Sequence, residues 1–142
     1  MGYKIKNLNM RRKILILISI VFVIIVTLYF IPRYGWRLYG FKYCSNPSDI
    51  VIGSVTINYN ENFVNIFGET SSSLDAYVGK IYKKDGDTLY IGIKYNSLFG
   101  FFKRDGSFDI KIAINVSDIE KVIITNNQEN KTIYMRGSPQ YE

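Results

Sequence analysis

The chain has 142 residues, with 18 Lys or Arg against 12 Asp or Glu and no histidine. The missing histidines exclude Ser-His-Asp triads, Cys-His dyads and His-based metal centres together, and a single cysteine excludes an internal disulfide. A net charge of +6 invites a polyanionic partner until the charges are placed along the chain.

Residues 1–13 hold five of the positive charges and residues 32–43 three more. From Cys44 onward ten Lys or Arg stand against all twelve acids, a net charge of −2. The basic excess therefore flanks one N-terminal stretch, and nucleic-acid binding loses its main support.

That stretch, Ile14 to Ile31, has no charged residue and only Ser19 and Thr27 as polar ones. As a helix it is about 27 Å long, close to the hydrocarbon thickness of a bilayer. Lipid leaves the backbone no hydrogen-bond partner but itself, so a helix is required there. The reading is a basic tail at 1–13 and a transmembrane helix at 14–31. A secretory signal has a shorter apolar core and small residues at its cut. This span exits through Leu28-Tyr29-Phe30-Ile31-Pro32-Arg33, and Phe41-Lys42-Tyr43 before Cys44 is no lipoprotein leader. A retained anchor is expected. Its heavier basic flank, ending in Arg11, Arg12 and Lys13, belongs in the cytoplasm, which puts the C-terminal part outside. Tyr29, Tyr34 and Trp36 suit the outer water–lipid interface. Residues 32–49, with Pro32, Gly35, Gly40 and Pro47, read as an interfacial tether.

Residues 50–136 read as one all-β domain with a single small core, and 137–142 as a flexible end. Phe108, Ile110, Ile112, Ile114 and Val116 alternate with Asp109, Lys111 and Asn115; Leu89, Ile91, Ile93 and Tyr95 with Thr88, Gly92, Lys94 and Asn96; and Val55, Ile57 and Tyr59 with Ser54, Thr56 and Asn58. Period two puts one apolar face on each strand. Segments 63–67, 75–82, 119–125 and 131–136 are β-rich but less regular, as strands buried on both faces or bulged would be. Asn60-Glu61-Asn62, Asp85-Gly86 and Asp105-Gly106 are hairpin signals, and 126–130 is a polar loop. Seven or eight short strands at this spacing predict an antiparallel sandwich or small barrel. A simple up-and-down count from residue 50 places the Asp85-Gly86 and Asp105-Gly106 turns at one distal end.

Both of those turns follow an aromatic residue and two bases, in Tyr82-Lys83-Lys84 and Phe102-Lys103-Arg104. Charged hairpin tips commonly serve solubility and edge protection. As a pair, Lys83, Lys84, Lys103 and Arg104 would form a partner-contact patch for an acidic surface. Leu98, Phe99, Phe101 and Phe102 are either a core plug or an exposed patch for a partner or for lipid. No catalytic constellation, phosphate loop or calcium loop is visible, so no enzyme activity, cofactor or metal is expected.

Residues 77–112, "YVGKIYKKDGDTLYIGIKYNSLFGFFKRDGSFDIKI", followed by "IEKVIIT" and "KTIYMR", resemble small membrane-anchored or lipoprotein β domains of low-GC Gram-positive bacteria. The resemblance rests on pattern, and those domains are mostly of unknown function. It implies a β fold outside the membrane and no site residue. The function expected is a binding or accessory role at the cell envelope. The partners would be the bilayer and an anionic envelope polymer or another membrane protein. The alternatives are a subunit of a membrane complex and an immunity or resistance factor.

Overall fold

A computed structural model describes residues 3–72, 75–96 and 105–138. The chain forms two compact units, residues 1–35 and 36–142.

The first unit is one helix, α1 (Tyr3–Tyr34). No glycine or proline interrupts it before Pro32. Its central side chains are apolar on every side and exposed, and none of the candidate span is buried in protein. A helix hydrophobic all round needs an apolar environment to cover it. It is long and apolar enough to cross a membrane and lies near the N-terminus.

The second unit is all-β. Its strands are β1 (Ile50–Asn58), β2 (Phe63–Thr70), β3 (Ala76–Asp85), β4 (Thr88–Asn96), β5 (Ser107–Ala113), β6 (Lys121–Thr125) and β7 (Asn130–Met135). They make two sheets, ordered β1-β2-β5 and β3-β4-β6-β7. The alternating residues meet between them. Val64, Ile66, Ile110 and Ile112 from the first sheet pack with Leu89, Ile91, Ile93, Val122 and Ile124 from the second. All nine are at most 1% exposed. At one end an aromatic trio, Tyr77, Tyr95 and Phe108, bridges the sheets with ring centroids 5.8–6.2 Å apart. The irregular segments behave as their patterns require. β3 slips register between Tyr77 and Gly79, and β6 is buried on both faces from Val122 to Thr125.

The expected hairpins form at 59–62, with Asn62 at φ 53°, and at Asp85-Gly86, with Gly86 at φ 58°. The positive φ at 86 is cheap only for glycine. The up-and-down count fails after β4. Asp105-Gly106 does not close a hairpin: β4 and β5 belong to different sheets. The chain then returns from β5 to lay β6 parallel to β4. The result corrects the shared-tip expectation. Thr70 N donates to Gly106 O at 3.0 Å, and Tyr77 N to Asp105 O at 3.1 Å. Asp105 and Gly106 therefore sit at the end of the sandwich that holds Ile50, opposite Asp85-Gly86. Alternation fixes which face of a strand is buried but not which strand it pairs with, so the crossover was outside its reach.

Three lysines close the gaps between the sheet edges. Lys80 and Lys84 lie on the face of β3 that holds the partners of Ile93 and Leu89. Their ammonium groups reach the other sheet's edge, donating to Lys111 O at 2.5 Å and Asn115 O at 3.2 Å. On the opposite side Lys131 donates to Ile50 O at 2.6 Å. Inward-pointing charges of this kind satisfy edge carbonyls and deny them to another chain. Burial holds the Lys80 ammonium below its ordinary value, and the charge of Asp109 opposes that.

Residues 36–49, read above as a tether, belong to the sandwich unit. A 3-10 segment, Gly35–Tyr43, is kinked at Gly40, where φ is +62°. It forms a collar on the outer face of the second sheet. Trp36 is 5% exposed and Cys44 8%. The sheet makes room by having no side chain at two outward positions. A Cβ at Gly79 would lie 3.2 Å from the Trp36 ring. One at Gly92 would collide with Cys44 Sγ and come within 2.8 Å of Phe41 Cδ1. Glycine inside a strand often marks such a close approach.

Candidate functional site

The collar leads directly into a cleft. β6 pairs with β4 only as far as Ile91, which leaves the last part of that edge open. Ser45 completes it. Its N–H donates to Ile93 O at 2.8 Å, and its hydroxyl oxygen accepts from Tyr95 N at 2.9 Å. One residue thus does the work of a strand, and the chain is fixed on both sides of Cys44.

Past Ser45 the surface opens into a polar cleft of about 340 Å³. Asp49, Asp75 and Lys94 bring charge to it; Asn46, Thr70 and Asn96 bring amides and a hydroxyl. Its frame is hydrogen-bonded throughout. Asn46 Oδ1 caps the short turn Pro47–Asp49 by accepting from Ser48 N at 3.1 Å. Ser71 N donates to Asp49 O at 2.8 Å, joining that turn to the end of β2. Tyr95 adds a wall from beneath, and its hydroxyl donates to Gly106 O at 3.0 Å.

The charges are placed without being paired. Among the described residues no hydrogen bond or ion pair engages the Asp49 or Asp75 carboxylate or the Lys94 ammonium. Ion pairs do form at other places in the domain, as in Lys83–Asp85 at 3.2 Å and Lys84–Asp118 at 3.3 Å. The cleft's charges are felt by its neighbours. Burial first, then the charges of Tyr77, Asp75 and Glu69, pushes the Tyr95 hydroxyl well above the ordinary tyrosine range, so it stays a donor. Burial raises the Cys44 thiol from 9.0 to about 11, against the opposing charge of Lys94.

Cys44 is therefore a protonated, shielded thiol at neutral pH, and only a thiolate is a good nucleophile. A disulfide reagent at pH 8 should modify the native protein far more slowly than the unfolded chain. Linkage gives the sign at high pH. The folded value lies above the unfolded one, so this thiol's contribution to stability is full below about pH 9 and is lost as pH rises through about 11. Between those values wild type should lose more stability in chemical denaturation than Cys44→Ala. Parallel curves would show the thiol to be solvated in the fold.

The residues singled out from the sequence fall differently. Lys83 is exposed and paired with Asp85. Lys84 is tied to Asn115 and Asp118 and so belongs to the edge closure. Leu98, Phe99, Phe101, Phe102, Lys103 and Arg104 lie outside the described residues. Arg11, Arg12 and Lys13 are exposed on α1, as are Tyr29 and Tyr34, whereas Trp36 is buried in the sandwich unit. Asp49 and Asp75 carry no pattern in the sequence that singles them out. Among the described residues no group of three His, Cys, Asp or Glu could hold a metal. Comparison with protein-family models, curated proteins and solved structures finds no match to this chain.

Proposed function

We propose that the chain is a single-pass membrane protein with its N-terminus in the cytoplasm and an exterior β sandwich that binds a polar ligand at the cell envelope. The orientation rests on the heavier basic flank before the span. The binding role rests on one observation: opposite charges share a cleft, on a hydrogen-bonded frame, without neutralising each other. Unpaired charges in a concave polar site are open to a ligand, and convergent polar groups in a pocket are the usual mark of a binding site. The reading is of a binding module.

The test is thermal stability of the full chain in lipid nanodiscs against a panel of polar probes. The panel is glucose, N-acetylglucosamine, glycerol phosphate, free amino acids and alanyl-alanine dipeptides. Binding to the folded state alone must raise the melting temperature. At least one probe should do so for wild type and not for the double variant Asp75→Asn, Lys94→Gln. No shift with any probe, or equal shifts in the variant, would overturn the reading.

A further inference from the structure

We propose that the cleft takes a small zwitterion of amino-acid to dipeptide size, its ammonium group facing Asp49 and Asp75 and its carboxylate facing Lys94. This rests on the reading that the cleft binds a ligand and goes on to name the class.

Size comes first. A cleft of about 340 Å³ lies at the small end of the range for ligand sites. Charge comes second. Among the described residues two carboxylates stand against one ammonium, which disfavours an anionic polymer, and the charge of Glu69 adds to this at Tyr95. Lys94 in turn disfavours a bare divalent cation, which would also want more carboxylates than are gathered here. A ligand carrying both signs avoids each repulsion. Because Lys94 forms no ion pair with either aspartate, such a ligand can bridge groups that do not touch.

The neutral lining agrees. Asn46, Thr70 and Asn96 supply donors and acceptors of the kind a peptide group uses. Among the described residues the one aromatic wall, Tyr95, is 5% exposed, so its ring face is not open to a sugar or a base. Asn46 is itself oriented, its side-chain oxygen held by Ser48 N and its amide nitrogen within 3.4 Å of Glu129 Oε1.

Calorimetric titration of the full chain in nanodiscs tests the class. The probes are alanyl-alanine of either hand, its N-acetylated form and its C-amidated form. A free dipeptide of one hand should bind, and removing either terminal charge should weaken it about tenfold or more, the usual effect of losing one charge-assisted hydrogen bond. The variants should cross. Lys94→Gln should cease to distinguish the acid from the amide while still preferring the free amine. Asp75→Asn should weaken the preference for the free amine and retain that for the acid. Both must first melt like wild type. Capped forms binding as tightly as the free dipeptide would overturn the proposal, as would no binding by either hand. If glycerol phosphate or N-acetylglucosamine stabilises wild type through the cleft while no dipeptide does, the ligand class falls and the binding reading stands. If no probe acts, both fall.

Discussion

Replacing Gly92 by valine is expected to lift the collar from the second sheet. The valine Cβ would enter the space held by Cys44 Sγ and the Phe41 ring, and Ile81 Cγ1 lies 3.0 Å away on the other side. Neither neighbour is a flexible tip. Phe41 and Cys44 are joined by a backbone hydrogen bond of 3.0 Å, and Ser45 next to them is fixed to β4. Overpacking of a filled site costs about 1–3 kcal/mol and occasionally more. The strain is relieved most cheaply by undocking residues 36–44. Trp36 is the only tryptophan, so its emission should shift to the red, and Cys44 should become reactive at pH 8. The cleft should suffer with it, since Ser45, Asn46 and Asp49 follow the collar directly. Unchanged emission and unchanged thiol reactivity would show that the collar is not seated as described.

Truncating Tyr95 to alanine should be more damaging still, by about 3–5 kcal/mol, as expected for emptying a large buried aromatic site. Its ring fills the space between Tyr77 and Phe108 and joins the two sheets at the cleft end. Its hydroxyl also holds Gly106 O. Tyr95→Phe separates the two effects. The ring remains, the carbonyl loses its donor, and the loss should be near 1 kcal/mol. Chemical denaturation of both variants measures the difference. Equal losses would mean that the hydrogen bond and not the packing carries the residue's effect.

The strands were legible because alternation is a local signal. Phe108-Asp109-Ile110-Lys111-Ile112 states its buried face within five residues, and the structure buries Phe108, Ile110 and Ile112. Asp85-Gly86 was legible for the same reason, since the turn's positive φ is written in the glycine that adopts it. Asp105-Gly106 shows the limit. The dipeptide permits a tight turn but does not say whether the flanking strands are neighbours, and here they lie in different sheets. The collar reads as a tether in the sequence because Gly35, Gly40 and Pro47 are linker signals and Trp36 suits an interfacial belt. The usable signal was on the other side of the contact, in Gly79 and Gly92, where strands that should carry side chains have none. The cleft was illegible. Asp49, Asp75 and Lys94 come from a turn, a strand entry and the end of β4; the β3–β4 hairpin brings the last two together, and the docking of Ser45 on β4 adds the first.

The central claim is that the sandwich works outside the membrane, and the shielded thiol offers a direct measurement. Cys44 is buried and should stay silent toward a membrane-impermeant maleimide in intact cells. A cysteine placed at the exposed position of Lys83 should be labelled in those cells, because that position faces solvent on β3. A cysteine placed at Asn7 should be labelled only after the cells are opened. The opposite pattern, with Asn7→Cys labelled in intact cells and Lys83→Cys only after lysis, would contradict the account.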